Sequence, residues 1–212
     1  MSKYWYMSSS DDYLSGYENE EFSLNAVSAF EEVLMSSPES YQIKVNGIDD
    51  IGIVQDKDAR EVKQLLTRLD TVKRGDQITY RNHEYLVLDF VDDNKMHQST
   101  EIRVCNEIAK FEFKTIETIV DRDSKGRPIY EYIDQPPLLL PAIVEKTNVV
   151  ESLNESINID EDRVKVTISY RDLDTAEYFK VYNEKFKIVS RDKTKSINGV
   201  GLLILIGERS AD

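Results

Sequence analysis

The 212-residue chain predicts a mainly β protein, with small β-barrel or sandwich domains, long hairpins and one N-terminal amphipathic helix. Three observations carry this. From Tyr41 onward apolar and polar residues alternate at period two, the pattern of strands buried on one face. These runs are short and punctuated by turn sequences such as Asn46-Gly47, Arg74-Gly75-Asp76 and Asn82-His83. Only one stretch, Glu20 to Leu34, carries helical spacing. Five or more short strands joined by tight turns imply a closed or half-closed barrel.

Residues 1–18 are rich in Ser, Asp, Tyr and Glu without a period, and read as a flexible arm. Its aromatics Tyr4, Trp5, Tyr6, Tyr13 and Tyr17 give it large contact area, so it either packs back on its own domain or docks onto a neighbour. Residues 19–114 read as a helix plus a β-barrel domain. Phe22, Ala26, Phe30, Val33 and Leu34 form the helix stripe that covers a sheet, and Ser36-Ser37-Pro38 stops it. Tyr41, Ile43 and Val45 then run into Asn46-Gly47 and return through Ile51, Ile53 and Val54 as a hairpin. Val62 to Leu69 fits a strand or one short helix. Arg74-Gly75-Asp76 turns into Ile78-Thr79-Tyr80, Asn82-His83 turns again, and Tyr85 to Phe90 returns. Asp92-Asp93-Asn94 reads as a polar loop, followed by strands at Glu101 to Val104 and Ala109 to Phe113.

Residues 115–155 read as a hairpin and a connection. Ile116 to Val120 and Ile129 to Ile133 flank Asp121 to Pro128, whose Asp-x-Asp-x-x-Gly start invites comparison with a calcium loop. Lys125 stands where a third oxygen ligand is wanted and Tyr132 where the bidentate Glu should be, so no metal is expected. Gln135-Pro136-Pro137 and residues 148–155 resemble a linker. Residues 156–212 read as a C-terminal β domain, with a strand at Arg163 to Tyr170, a hairpin at Tyr178 to Val189 and a buried strand at Val200 to Ile206. Sliding the chain by 101 positions lays Ile78, Tyr80, Asn82, Tyr85 and Val87 on Phe179, Val181, Asn183, Phe186 and Ile188, the trace of one barrel unit used twice.

Composition narrows the function. Forty acidic against 27 basic residues give a net charge of −13, which opposes nucleic-acid binding through a broad basic surface. The same charge suits a surface past which DNA slides, and serves solubility alone at least as well. The apolar run Gly199 to Gly207 is about half the ~20 residues of a membrane span, so no membrane partner is expected, and the N-terminus lacks the pattern of a secretory signal. Cys105 is the single cysteine, so no intrachain disulfide can form, and it reads as a small buried hydrophobe. With only His83, His97 and Cys105 as adept catalytic types, and no phosphate-cradling glycine loop, neither a catalytic residue nor a cofactor is assigned and the chain is expected not to be an enzyme.

The run Lys73-Arg74-Gly75-Asp76-Gln77-Ile78-Thr79-Tyr80, Tyr85-Leu86-Val87-Leu88, Asp92-Asp93-Asn94, Ile102-Arg103-Val104-Cys105-Asn106 and Ile108-Ala109-Lys110-Phe111 resembles head-closure (stopper-like) or head-tail connector proteins of tailed bacteriophages of Gram-positive bacteria. Arg163 to Tyr170, Tyr178 to Ser190, Arg191-Asp192-Lys193-Thr194 and Gly201 to Gly207 look like the second β domain of longer members. The resemblance spans roughly residues 40–210 and leaves out the arm and helix. It implies a homo-oligomeric ring in the virion neck, made in the host cytoplasm, between portal or adaptor protein and a tail-terminator or tail protein. Such a ring closes the channel through which DNA passes without sequence-specific binding, and offers a platform for the tail. The loop around Asp92, Asp93, Asn94, Lys95 and His97, the hairpin tip with Asp123, Lys125 and Arg127, and Trp5 and Tyr6 of the arm are then the contact elements. A tail-completion or tail-terminator ring is one alternative. A nucleic-acid-binding barrel stacking bases on Tyr80, Tyr85 and Phe111 is another, and its charge has the wrong sign.

Overall fold

The computed structural model describes residues 17–57, 59–113, 116–122, 125–133, 135–146 and 163–210; Trp5, Tyr6 and Asp123 lie outside them. Helix α1 (Tyr17–Ser36) leads into β1 (Ser40–Val45), β2 (Ile48–Asp56), β3 (Val62–Thr67), β4 (Gln77–Tyr80), β5 (His83–Val87), β6 (Asp92–Asp93) and β7 (Gln98–Val104). Six of these strands close in the order β3-β2-β1-β4-β5-β7, because β3 pairs back onto β7, and the two-residue β6 adds to β7. The ambiguous stretch after Val62 is therefore a strand: its pairing on both sides satisfies every backbone group that a lone helical turn would leave open.

The second half repeats the plan. Strands β8 (Glu107–Phe113), β9 (Ile116–Arg122), β10 (Pro128–Ile133), β11 (Leu138–Lys146), β12 (Arg163–Ser169), β13 (Ala176–Val181), β14 (Glu184–Asp192), β15 (Ser196–Ile197) and β16 (Val200–Arg209) follow. A second six-stranded barrel closes as β12-β11-β8-β13-β14-β16, with β12 paired to β16 and β15 added to β16. Each barrel thus runs third, second, first, fourth, fifth, last, with a two-residue strand before the last. The 101-residue echo is a shared topology, and its two Asn residues occupy the same turn: Arg81-Asn82 (φ 48° and 63°) and Tyr182-Asn183 (φ 51° and 63°). Two positive φ angles in a two-residue loop make the turn whose twist matches the strands it joins, and Asn tolerates it. His83, read as part of a turn, is the first residue of β5.

Strand membership departs from the sequence reading in one respect. Ala109 to Phe113, grouped with the first unit, lies in β8, and residues 138–146, inside the stretch read as hairpin and connection, form β11; both are walls of the second barrel. The pattern alone could not assign them, since an alternating strand carries no mark of its partner. The hairpin β9–β10 is inserted between them and pairs with no other strand among the described residues.

Each barrel has its own core. Ile43, Leu65, Ile78, Val87 and Ile102 fill the first, and Phe111, Val166, Ile168, Phe179 and Leu203 the second. Phe30 and Leu34 of α1 pack on Ile53, so the helix covers the first barrel as its stripe predicts, although Val33 points to solvent. Arg68 fastens it, donating to Glu31 at 2.7 Å and to Asp50 at 2.6 Å. Phe179 stands at the centre of the second barrel, with ring centroids 5.6 Å from Phe186 and 5.9 Å from Phe111, over a glycine, Gly207, that leaves room for it. Phe179→Ala is expected to lower the stability of the second barrel by about 3–5 kcal/mol, measured by denaturant unfolding.

Candidate interaction surface

Period two also explains how the barrels meet. Inward residues on β5, β11 and β16 are Tyr85 and Val87, Ala142 and Val144, Leu203 and Leu205. Their outward neighbours Leu86, Ile143 and Leu202 are nonetheless fully buried. Strand β5 lies against β11, and Gly75 meets Gly201 backbone to backbone, so each barrel covers the other's outer face. Gly75 (φ 86°) and Gly201 (φ 134°) have no substitute there, because a Cβ on Gly75 would collide with the Gly201 carbonyl.

Only Cys105 and Asn106 link β7 to β8, and both are held. The Cys105 amide donates to the Glu84 carbonyl at 2.7 Å and the Asn106 amide to Ala142 at 3.1 Å. The Asn106 side chain copies a strand: its Nδ2 donates to the Val144 carbonyl at 2.9 Å and its Oδ1 accepts the Val144 amide at 2.8 Å. Arg103 bridges the seam to Glu145, which Lys165 also contacts at 3.1 Å. Burial pushes the Glu145 carboxyl up, but the bonds from Arg103 and Lys165 outweigh it and hold it below the ordinary value of 4.5. Burial, aided by Glu84, drives the Cys105 thiol up to about 12, so it is a thiol and not a thiolate at neutral pH.

Beside the seam the β3–β4 and β5–β6 loops face β15 and the start of β16 across a groove of about 270 Å³, lined by Val72, Arg74, Phe90, Val91, Ile197 and Val200. Phe90 is 67% exposed, Ile197 62% and Val200 47%, an apolar patch on an otherwise strongly charged chain. Arg74 lies 4.1 Å over the Phe90 ring and donates to the Leu88 carbonyl at 3.0 Å. The Arg74-Gly75-Asp76 tripeptide is a turn made by its own side chains, since Asp76 accepts from the Lys73 amide at 2.7 Å and from Asn46 at 2.9 Å.

The predicted contact loop borders this groove. Asp92 and Asp93 form β6 instead of a plain loop, since they pair with Ser99 and Gln98. The Asn94 carboxamide oxygen accepts the amides of Met96 at 3.0 Å and His97 at 2.9 Å, and Asp93 accepts that of Lys95 at 2.8 Å. The His97 ring stacks on Phe30 of α1 with centroids 4.8 Å apart, tying loop to helix. Lys125 and Arg127 are exposed beside the tip of the β9–β10 hairpin, which lies in a different sheet from the loop. Tyr80, Tyr85 and Phe111, considered as base-stacking residues, are buried barrel interior, where period two had to put them. The groove residues Phe90, Ile197 and Val200 escaped the sequence reading, which placed Phe90 at the end of a strand that stops three residues earlier, at Val87, and Val200 at the start of a buried strand. Among the described residues no group of three His, Cys, Asp or Glu could hold a metal, and no helix is long and apolar enough to cross a membrane.

Two family models match the chain, the YomX N-terminal domain over residues 12–104 and the YomX C-terminal domain over residues 87–208. The first ends where β7 ends. The chain is also 21% identical over 179 residues to the SPbeta prophage-derived protein YomX of Bacillus subtilis (strain 168), covering 81% of this chain and 83% of that one. No solved structure matches.

The seam is open to test. Gly75→Ala is expected to cost at least about 3 kcal/mol or to part the barrels, read as a fall in unfolding midpoint or a rise in radius of gyration by solution scattering. Because the folded Glu145 has the lower pKa, its contribution is present above pH 4.5 and is lost as pH falls through the folded value. Glu145→Gln is expected to flatten that acid loss in melts taken from about pH 7 down to about pH 3.

Proposed function

Since the chain belongs to the YomX family, which has a prophage-derived member, we propose that it is a non-enzymatic structural protein of a tailed phage. In this reading copies form a ring in the virion neck, between portal or adaptor and tail, that closes the DNA channel and seats the tail. The supporting observation is the rigid pair of barrels: one exposed apolar groove beside the seam and one hairpin, β9–β10, outside both sheets give a subunit with two different surfaces to offer its neighbours. Contacts between unlike surfaces generate rings when the rotation closes. The net charge of −13 keeps DNA phosphates from adhering to a lumen.

A tail-terminator ring is the second reading, since the same barrels serve it, and the partner separates the two. Electron microscopy with mass determination, on the purified chain alone and mixed with the portal protein of the same phage genome, is the test. A ring docked on the portal axis is the expected result. A ring that ignores the portal and caps tail tubes transfers the protein to the tail side, and a monomer with every partner removes the ring.

A further inference from the structure

The common plan of the two barrels allows the same outer-face row to be compared in each. In the first barrel the row across β2, β1, β4 and β5 reads Asp49, Lys44, Thr79 and Glu84 by register. It is compensated: Lys44 pairs with Asp49 at 3.4 Å and the Thr79 hydroxyl donates to Glu84 at 3.1 Å. In the second barrel the corresponding row across β11, β8, β13 and β14 reads Leu139, Lys110, Lys180 and Lys185.

Like charges directly opposite one another on adjacent strands repel. The first barrel demonstrates that the topology does not require them. Glu112 takes Lys180 at 2.8 Å; that hydrogen bond, with the nearby charges of Lys180, Lys185 and Lys110, holds its carboxyl below the usual range. Lys185 lies 4.6 Å over the Tyr178 ring, and neither it nor Lys110 has an ion pair with another described residue. The row lines an open groove of about 740 Å³ with Ile108, Tyr182, Glu107, Glu184 and Arg209, in which Glu184 takes Arg209 at 2.9 Å and leaves the lysines in excess.

We propose that this lysine row is a docking surface for the acidic loop Asp89, Asp92 and Asp93 of a second copy of the chain. All three aspartates are exposed and have no ion pair with another described residue. They cannot meet the lysines of their own chain. Phe90 and Val91 border the groove with Ile197, whereas Lys185 is the second residue of β14 at the other end of the barrel, about 23 Å away along the strand from Asp192. Lysines across two inter-strand steps span about 10 Å, and residues 89 to 93 laid out span about 13 Å, so the two sets match in length. The loop's own hydrogen bonds and the His97–Phe30 stack hold it in place for docking. Three lysines are few for nucleic acid, whose binding grows with the number of phosphates neutralised and which the net charge repels. The pairing joins opposite ends of successive copies, the head-to-tail geometry of a ring, and rests on the ring reading above.

The test uses full-length chain and reads assembly by sedimentation velocity at low and physiological salt. Lys180→Thr with Lys185→Glu copies the first barrel's own residues, so the fold accommodates it, as circular dichroism would verify. This variant and Asp92→Lys with Asp93→Lys are each expected to weaken assembly at least about tenfold, and their mixture to restore it, with wild-type assembly itself weakened by salt. If the lysine variant forms wild-type rings, the docking surface is refuted and the ring stands. If wild type never assembles, with or without portal, the ring reading falls and this pairing with it. Oligonucleotide binding by wild type that the lysine variant loses, with assembly unchanged, would reassign the row to phosphates and overturn the proposal.

Discussion

Everything distinctive about this molecule depends on a two-residue link. Cys105 and Asn106 leave no slack between the barrels, and the Asn106 side-chain carboxamide is bonded through both its nitrogen and its oxygen to Val144 of β11. A flexible linker would let the barrels tumble. Here the outer faces that carry Leu86, Ile143 and Leu202 are instead pressed together, and their burial adds about 1.5–3 kcal/mol for each side chain removed from water. The glycine contact between residues 75 and 201 lets the backbones come close enough for this, and the Arg103–Glu145 pair spans the same seam.

Rigidity turns two ordinary barrels into one body with fixed surfaces. The connection from β5 to β7 and that from β14 to β16, equivalent in topology, are brought face to face and form the groove with Phe90, Ile197 and Val200 at its rim. Neither loop alone makes a groove. The hairpin β9–β10, inserted between the first and second strands of the second barrel, has no counterpart in the first. Duplication thus supplies the scaffold, and the departures from symmetry among the described residues supply what a partner could recognise: the hairpin, the helix on the first barrel, and the outer-face lysine row on the second.

The cysteine is held as a thiol by burial at the seam, and His97 is packed on a helix. The buried Gln98 serves a loop: its side-chain oxygen accepts the amides of Thr71 at 3.1 Å and Val72 at 3.0 Å, keeping the turn beside the groove in shape.

By itself the sequence determined the local elements. Period-two alternation, two-residue turns at Asn46-Gly47 and around Asn82 and Asn183, and one helical stripe depend on contacts within a few residues, so they were legible, as was the repeat of the fourth and fifth strands. The tertiary structure alone decided partners. A strand's pattern says which side is apolar and not which strand lies beside it, so β8 and β11 joined the second barrel against their place in the chain. It also decided that Leu86, Ile143 and Leu202, each an extra apolar residue in an alternating run, face a second barrel rather than water. The lysine row emerged in the same way, because residues 110, 180 and 185 become neighbours only when register sets them side by side.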